Sequence, residues 1–132
     1  MPRSLKVFLT SLLTFFALDL VWLGLVAADF YQRQLAALLR PDVLWLPAVL
    51  FYLVYLVALT VLVTLPAVER GSVRRAAWFG GLFGLAAYSA FDLTGLALLR
   101  DFPIVVVVVD LAWGTTLSAV VASVGARVGL LR

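Results

Sequence analysis

The chain has 132 residues, of which 65% are hydrophobic and only 13% are charged, and its mean hydropathy is +1.15. This composition excludes an ordinary soluble protein and leaves room for one compact domain. The chain has no cysteine and no histidine, which excludes disulfides, thiolate chemistry and the usual acid–base group at neutral pH. The net charge is +3, but the basic residues form no stripe with interleaved aromatic residues, so no nucleic-acid partner is predicted.

Four apolar segments follow one another along the chain, and each is long enough to cross about 30 Å of hydrocarbon as a helix. They cover Leu5–Ala28, Leu44–Ala67, Ala76–Leu99 and Ile104–Ala126. The pattern predicts an all-α, polytopic membrane protein with four transmembrane helices in one bundle, as a single domain over residues 1–132. Residues 30–39 mix glutamine and arginine with leucine and predict a short interfacial helix on the outer face. This helix is either an ordinary connector or a lid over a site.

Basic residues are distributed unevenly around these segments, which sets the expected orientation. Seven of them lie at the N-terminus, in the second loop and at the C-terminus: Arg3, Lys6, Arg70, Arg74, Arg75, Arg127 and Arg132. The opposite side holds three, which are Arg33, Arg40 and Arg100. Both termini are therefore expected to be cytoplasmic.

Three aspartates lie within the apolar segments, where a carboxylate is costly unless it is paired, protonated or hydrated. Asp19, Asp92 and Asp110 lie at a similar depth, roughly 9–14 Å below the outer boundary at ~1.5 Å per residue. All ten Lys and Arg residues lie at or beyond the segment ends, so no basic side chain is available at that depth. Because three carboxylates would repel one another, we expect at least two to be protonated at neutral pH. The alternatives are a bound metal ion, a cationic ligand or a water-filled cavity open to the outer side.

Aromatic and hydroxyl side chains accompany the aspartates. Trp22 follows Asp19 by three residues and Trp113 follows Asp110 by three, so each pair shares a helix face. The predicted ligand-binding residues are Asp19, Asp92, Asp110, Trp22, Trp113, Tyr52, Tyr55, Tyr88 and Thr94. The pattern assigns no catalytic residue, no metal ligand and no cofactor.

Small residues recur every four positions in the last two segments and predict close helix packing. The repeat runs through Gly80, Gly84, Tyr88 and Asp92 in the third segment and through Asp110, Gly114, Ser118 and Ala122 in the fourth. We expect these faces to pack within one chain, with a homodimer interface as the alternative.

Three aspartates with no basic side chain at their depth are compatible with three functions. A transporter-like or ligand-binding protein would hold a cation, a proton-coupled solute or a cationic amphiphile between the aspartates and the faces of Trp22 and Trp113. A membrane-embedded enzyme would use a protonated aspartate as general acid toward a lipid or isoprenoid. A structural membrane subunit would use the aspartates as hydrogen-bonding glue between helices. The expected partners are the lipid bilayer, a small cationic or lipidic ligand and a second copy of the chain.

Three blocks of sequence carry a family resemblance. They are Asp19–Gly24, Tyr88–Thr94 and Val109–Thr115. Together they resemble a family of small four-helix bacterial inner-membrane proteins, known as a domain of unknown function, and the likeness spans nearly the whole chain. The resemblance implies a multi-pass protein of the bacterial inner membrane and supplies no activity. Gly95 departs from the family pattern, which has asparagine after the threonine.

Overall fold

The computed structural model describes residues 1–131, which form helices and no strand. Arg132, which the charge count includes, lies outside the described residues. The helices are α1 (Arg3–Val21), α2 (Ala28–Gln34), α3 (Trp45–Leu59), α4 (Leu65–Glu69), α5 (Val73–Leu98) and α6 (Ile104–Gly129). Two π-helical turns extend this set: Trp22–Val26 continues α1, and Thr60–Thr64 joins α3 to α4. The prediction of an all-α fold is confirmed.

These elements make four continuous spans, each long and apolar enough to cross a membrane. The first span is Arg3–Val26, the second Trp45–Glu69, the third Val73–Leu98 and the fourth Ile104–Gly129. The third span begins three residues before its apolar segment, because the Ser72 hydroxyl accepts a hydrogen bond from the backbone N–H of Arg75 at 3.0 Å and caps the helix.

The connection after the first span differs from the expectation. Helix α2 covers Ala28–Gln34 rather than residues 30–39, and no regular helix follows as far as Leu44. The cause is packing: Phe30, Tyr31 and Leu35 contact a cluster of Phe102, Val106 and Val107 at the start of α6. Leu38 and Leu39 remain exposed, so nothing holds the later residues in a helix.

The third and fourth spans form the most extensive helix pair. A Cβ atom on Gly84 would meet the carbonyl oxygen of Gly114 and the side chain of Ser118, and one on Gly80 would lie 2.8 Å from the Cβ of Ala122. These glycines let the two backbones approach closely. The small residues thus pack within one chain, as expected.

The bundle has two distinct ends. Cβ atoms built on Gly125 and Gly129 would contact Val7 of α1, and the one on Gly129 also Val68. The termini and the second loop therefore share one end, here called the inner end, while α2 lies at the opposite, outer end. The orientation of these ends in the membrane stays a prediction from charge. The main apolar core fills the middle and inner half of the bundle, from Phe15 and Tyr55 down to Ala67 and Ala126.

Candidate functional site

A cavity of about 420 Å³ lies in the outer half of the bundle, where the core ends. Side chains from all four spans and from α2 line it: Asp19, Trp22, Leu23, Tyr31, Ala48, Phe51, Tyr52, Ala87, Tyr88, Phe91, Asp92, Asp110 and Trp113. Asp19, Asp92 and Asp110 are all on its wall, and among residues 1–131 no lysine or arginine lines it. One chain therefore brings the three acids together without a partner subunit.

The register of α5 against α6 determines where Asp92 and Asp110 lie. The ring of Tyr88 occupies the space that a side chain on Gly114 would need. Asp92 is one turn outward from Tyr88, and Asp110 is one turn outward from Gly114, so the two aspartates fall opposite each other. Both carboxyl groups belong to the wall of the same cavity.

A π-helical turn ends the first span beside the cavity. The backbone N–H of Ala27 donates to the carbonyl of Trp22 at 2.7 Å, which closes the wide turn and leads the chain into α2. Such turns change the direction of the side chains on a helix and recur at functional sites. Here the turn begins at Trp22 and places α2 across the outer end, with Tyr31 on the cavity wall.

Two of the acids are held by aromatic hydrogen-bond donors. The Tyr31 hydroxyl donates to Oδ1 of Asp110, and it accepts from the indole N–H of Trp22 at 3.3 Å. The indole N–H of Trp113 donates to Oδ1 of Asp19 at 3.4 Å. The two indole rings stack, with centroids 4.4 Å apart and planes 8° from parallel. A single network thus connects the first span, α2 and the fourth span.

The stacking leaves no space for a cation between the two indole rings, because they contact each other face to face. The expectation that a cation lies between an aspartate and a ring face stays a prediction. Each indole keeps one ring face for other contacts, and its N–H already has a partner. The two tryptophans act mainly on the acids, by positioning Asp19 directly and Asp110 through Tyr31.

Asp92 differs from the other two aspartates. Its side chain is 1% exposed, and neither carboxyl oxygen has a hydrogen-bond partner among residues 1–131. Buried polar side chains are almost always hydrogen-bonded, and a buried charge without a partner is strongly unfavourable. The carboxyl of Asp92 is therefore the wall group that still requires a donor or a positive charge. Among these residues no three acidic side chains are close enough to bind a metal ion.

Tyr31 is a residue of the cavity wall that the sequence pattern misses, because it lies outside the apolar segments. Burial raises the pKa of the Tyr31 hydroxyl, and its hydrogen bond to Asp110 raises it further. The hydroxyl therefore stays neutral and keeps its proton for Asp110 at physiological pH. The only hint in the sequence is the place of Tyr31 in residues 30–39, for which a lid is one alternative.

Seven of the nine residues predicted to bind a ligand line the cavity, and two do not. Tyr55 is buried in the core below the cavity, where its hydroxyl pairs with that of Ser118. Thr94 is exposed, and its hydroxyl donates to the backbone carbonyl of Ala90 in its own helix. Thr94 is two residues from Asp92, which puts it on the far side of the helix.

The cavity also has an apolar opening. Leu23, Phe51 and Phe91 belong to its lining and yet remain largely exposed, Phe91 to 61%. They lie on the first, second and third spans, and α3 as a whole packs only weakly against the other spans. In a bilayer these side chains would face lipid, so the acids lie behind an apolar rim.

The chain matches one family model, described as "Predicted membrane protein (DUF2177)", over residues 4–127. No curated protein and no solved structure matches it. The expected resemblance to a family of small membrane proteins of unknown function is confirmed. Because the match covers nearly the whole chain and its four apolar helices, the protein belongs to the DUF2177 family of predicted membrane proteins.

Proposed function

We propose that this protein is a ligand-binding, transporter-like membrane protein whose cavity takes up a small cationic amphiphile. The observation that carries the proposal is the Asp92 carboxyl, which is buried on the cavity wall with both oxygens unpartnered. An ammonium group in the cavity would give these oxygens charge-assisted hydrogen bonds, which are roughly twice as strong as neutral ones.

The charge distribution supports a cation over an anion. Asp19 and Asp110 accept hydrogen bonds from neutral donors, Trp113 and Tyr31, and none of residues 1–131 adds a cationic side chain to the cavity lining. A positive ligand would interact favourably with each carboxyl that is ionised, whereas an anion would be repelled. The neutral donors orient the acids and leave their negative potential available.

The apolar part of the cavity supports an amphiphile over a hydrated ion. Its volume is within the range of small-molecule sites, which are mostly apolar with a few polar groups. Aromatic side chains such as Tyr52 and Tyr88 form walls next to the acids. The exposed rim of Leu23, Phe51 and Phe91 gives a hydrocarbon tail a route into lipid while the head group contacts Asp92.

Tryptophan fluorescence offers a direct test. Trp45 and Trp78 are outside the cavity and are 67% and 71% exposed, so a W45F/W78F variant reports on the stacked pair alone. This variant, in nanodiscs, is titrated with dodecyltrimethylammonium, dodecyl sulfate and dodecyl maltoside, which share one tail. We expect a saturable change with the cationic amphiphile only.

Two further variants show whether the acid is responsible. Replacing Asp92 by Asn should weaken binding about tenfold or more, equivalent to about 1.4 kcal/mol. Asp29→Asn removes the same charge from an exposed position outside the cavity and should leave binding unchanged. Equal responses to the three amphiphiles, or equal affinities in the two variants, would contradict the proposal.

Acid catalysis is a second candidate, favoured by the presence of Asp92 and Asp110 on one cavity wall. One protonated and one ionised carboxyl would provide an acid and a base, and the apolar rim would admit a lipid or isoprenoid chain. Incubation with a lipid extract followed by mass spectrometry would reveal products that D92N and D110N both lack. A purely structural role would require every carboxyl oxygen to be bonded within the protein, which is not so for Asp92.

A further inference from the structure

Buried hydroxyl groups continue from the cavity through the core toward the inner end. They belong to Tyr55, Ser118, Thr60, Ser11 and Thr64, and all five side chains are at most 4% exposed. They come from the first, second and fourth spans, yet they face a common interior. The main apolar core surrounds them, so these are polar atoms in a part of the bundle that apolar side chains could have filled.

The outer part of this column adjoins the cavity. The hydroxyls of Tyr55 and Ser118 are hydrogen-bonded to each other. Ser118 is one turn inward from Gly114, which lies beneath the ring of Tyr88 on the cavity wall. The pair therefore lies about one helical turn below the cavity wall.

The inner part of the column is equally well defined. Ser11 Oγ and Thr64 Cγ2 lie 2.8 and 3.1 Å from the point where a Cβ atom on Gly125 would be, so these two side chains are neighbours. Thr60 lies four residues outward from Thr64 on the second span, at a depth between Thr64 and Tyr55. Thr64 is five residues, or about 7.5 Å, from the end of that span at Glu69.

Two of the five hydroxyls, those of Ser11 and Thr60, are unusual in their bonding. The Thr64 hydroxyl donates to the carbonyl of Leu59 in its own span at 3.4 Å. Thr14, Thr115, Thr116 and Ser123 each donate to the backbone carbonyl four residues earlier, the common arrangement for a hydroxyl in a helix. The hydroxyl oxygens of Ser11 and Thr60 have no partner among residues 1–131 although they are fully buried. Both thus keep donor and acceptor capacity, and buried groups of this kind commonly bind water.

The π-helical turn Thr60–Thr64 contributes to this arrangement. The Leu65 N–H donates to the carbonyl of Thr60, and both threonines of the turn are buried. π-helical turns are rare and are frequent at functional sites. The two such turns found in residues 1–131 lie at the cavity and in the hydroxyl column.

We propose that this column, with water between its hydroxyls, conducts protons between the Asp92–Asp110 carboxyls and the inner end. At each hydroxyl one O–H bond forms on one side as another breaks on the other. The net change is a proton moved from a carboxyl to water at the inner end. The inference deepens the proposed function, because a cation that binds at the aspartates would displace a proton that this route could carry away.

The test measures proton flux without any ligand. Protein in liposomes that contain a pH-sensitive dye is given a potassium diffusion potential with valinomycin. The path variant S11A/T60V is compared with S123A/T116V, which makes the same two changes at hydroxyls bonded to their own helices. We expect flux in wild type and in the control variant, and loss of flux to the level of protein-free liposomes in the path variant and in D92N.

Further readouts separate this inference from the proposed function. Thermal unfolding confirms that the path variant is folded, and its fluorescence response to dodecyltrimethylammonium should persist while its flux is lost. Flux in the path variant equal to wild type, or wild-type flux no greater than that of empty liposomes, would overturn the proton route. Selective loss of flux in the path variant, with no response to the ammonium probe in any variant, would support the route and refute the proposed ligand.

Discussion

The stacked indoles of Trp22 and Trp113 join the first and fourth spans at the level of the acids, with ring centroids 4.4 Å apart. Each N–H extends from the stack to a different group: that of Trp22 reaches Tyr31, and that of Trp113 reaches Asp19. The tryptophan of one span thus binds the aspartate of another. The stack therefore determines the positions of the side chains on one side of the cavity.

The stack should be visible in circular dichroism, because two parallel indoles at this distance couple their transitions. Replacing Trp22 or Trp113 by Phe should abolish the resulting couplet in the far ultraviolet. Trp45→Phe removes an exposed tryptophan outside the cavity and should leave the couplet intact. A couplet that survives either cavity substitution would show that the rings are not stacked.

Tyr31 should hold α2 against the bundle. Tyr31→Phe removes the donor to Asp110 and the acceptor for Trp22, and a hydrogen bond to a charged group is worth about 1.5–3 kcal/mol. We expect faster tryptic cleavage after Arg33, which is exposed in α2 and is followed by Gln34. Tyr52→Phe, which alters another tyrosine of the cavity wall, is the control. Equal cleavage of the two variants would contradict this role.

Tyr31 should also titrate abnormally. Burial and the bond to Asp110 raise the pKa of its hydroxyl, so the folded state favours the neutral phenol. Its contribution to stability is therefore complete below about pH 10, the pKa of a free tyrosine, and is lost as the pH rises above that value. The measurement compares wild type with Y31F by absorbance near 295 nm, which reports ionised tyrosine. Near pH 10 the two folded proteins should show the same amount of ionised tyrosine. After unfolding, wild type should show one ionising tyrosine more than Y31F.

Asp92 and Asp110 should differ in their effect on stability. Asp92→Leu replaces an unpartnered buried carboxyl beside a cavity that has room for the larger side chain, so the unfolding temperature should stay constant or rise. Asp110→Leu leaves the Tyr31 hydroxyl without its acceptor and should lower stability by about 1–3 kcal/mol. Thermal unfolding in nanodiscs at neutral pH measures both. A loss at Asp92 as large as that at Asp110 would mean that Asp92 has a partner within the protein.

Gly84 tests the packing that sets the register of Asp92 and Asp110. A methyl group there would meet the backbone of Gly114 and lie 2.6 Å from the Cβ of Ser118, so Gly84→Ala should destabilise the protein by about 1–3 kcal/mol. Gly24→Ala is the matched control, since nothing lies within 4 Å of its added Cβ atom. If both variants unfold at the same temperature, the close approach of α5 and α6 is wrong.

Much of the cavity wall could be predicted because depth in a membrane helix follows directly from residue number. Asp19, Asp92 and Asp110 share a level by counting alone, and the small residues at Gly80 and Gly84 predict that their face is buried. Depth alone does not identify a residue of the cavity wall, because a residue at the right depth can point away from the cavity, as Thr94 does. Tyr55 lies one turn too deep and joins the core.

By itself, the sequence determined the protein class, the number of spans and the depth of the acids, since hydrocarbon thickness sets how many apolar residues a helix must present. Only the tertiary structure decided which acids have partners. The three aspartates have similar neighbours in sequence, but Trp113 is 94 residues from the Asp19 it binds, and Tyr31 is 79 residues from Asp110. Such pairings depend on helix register, on the rotation of each span and on the π-helical turn at Trp22. These arise from the packing of all spans together and leave no local pattern in the chain.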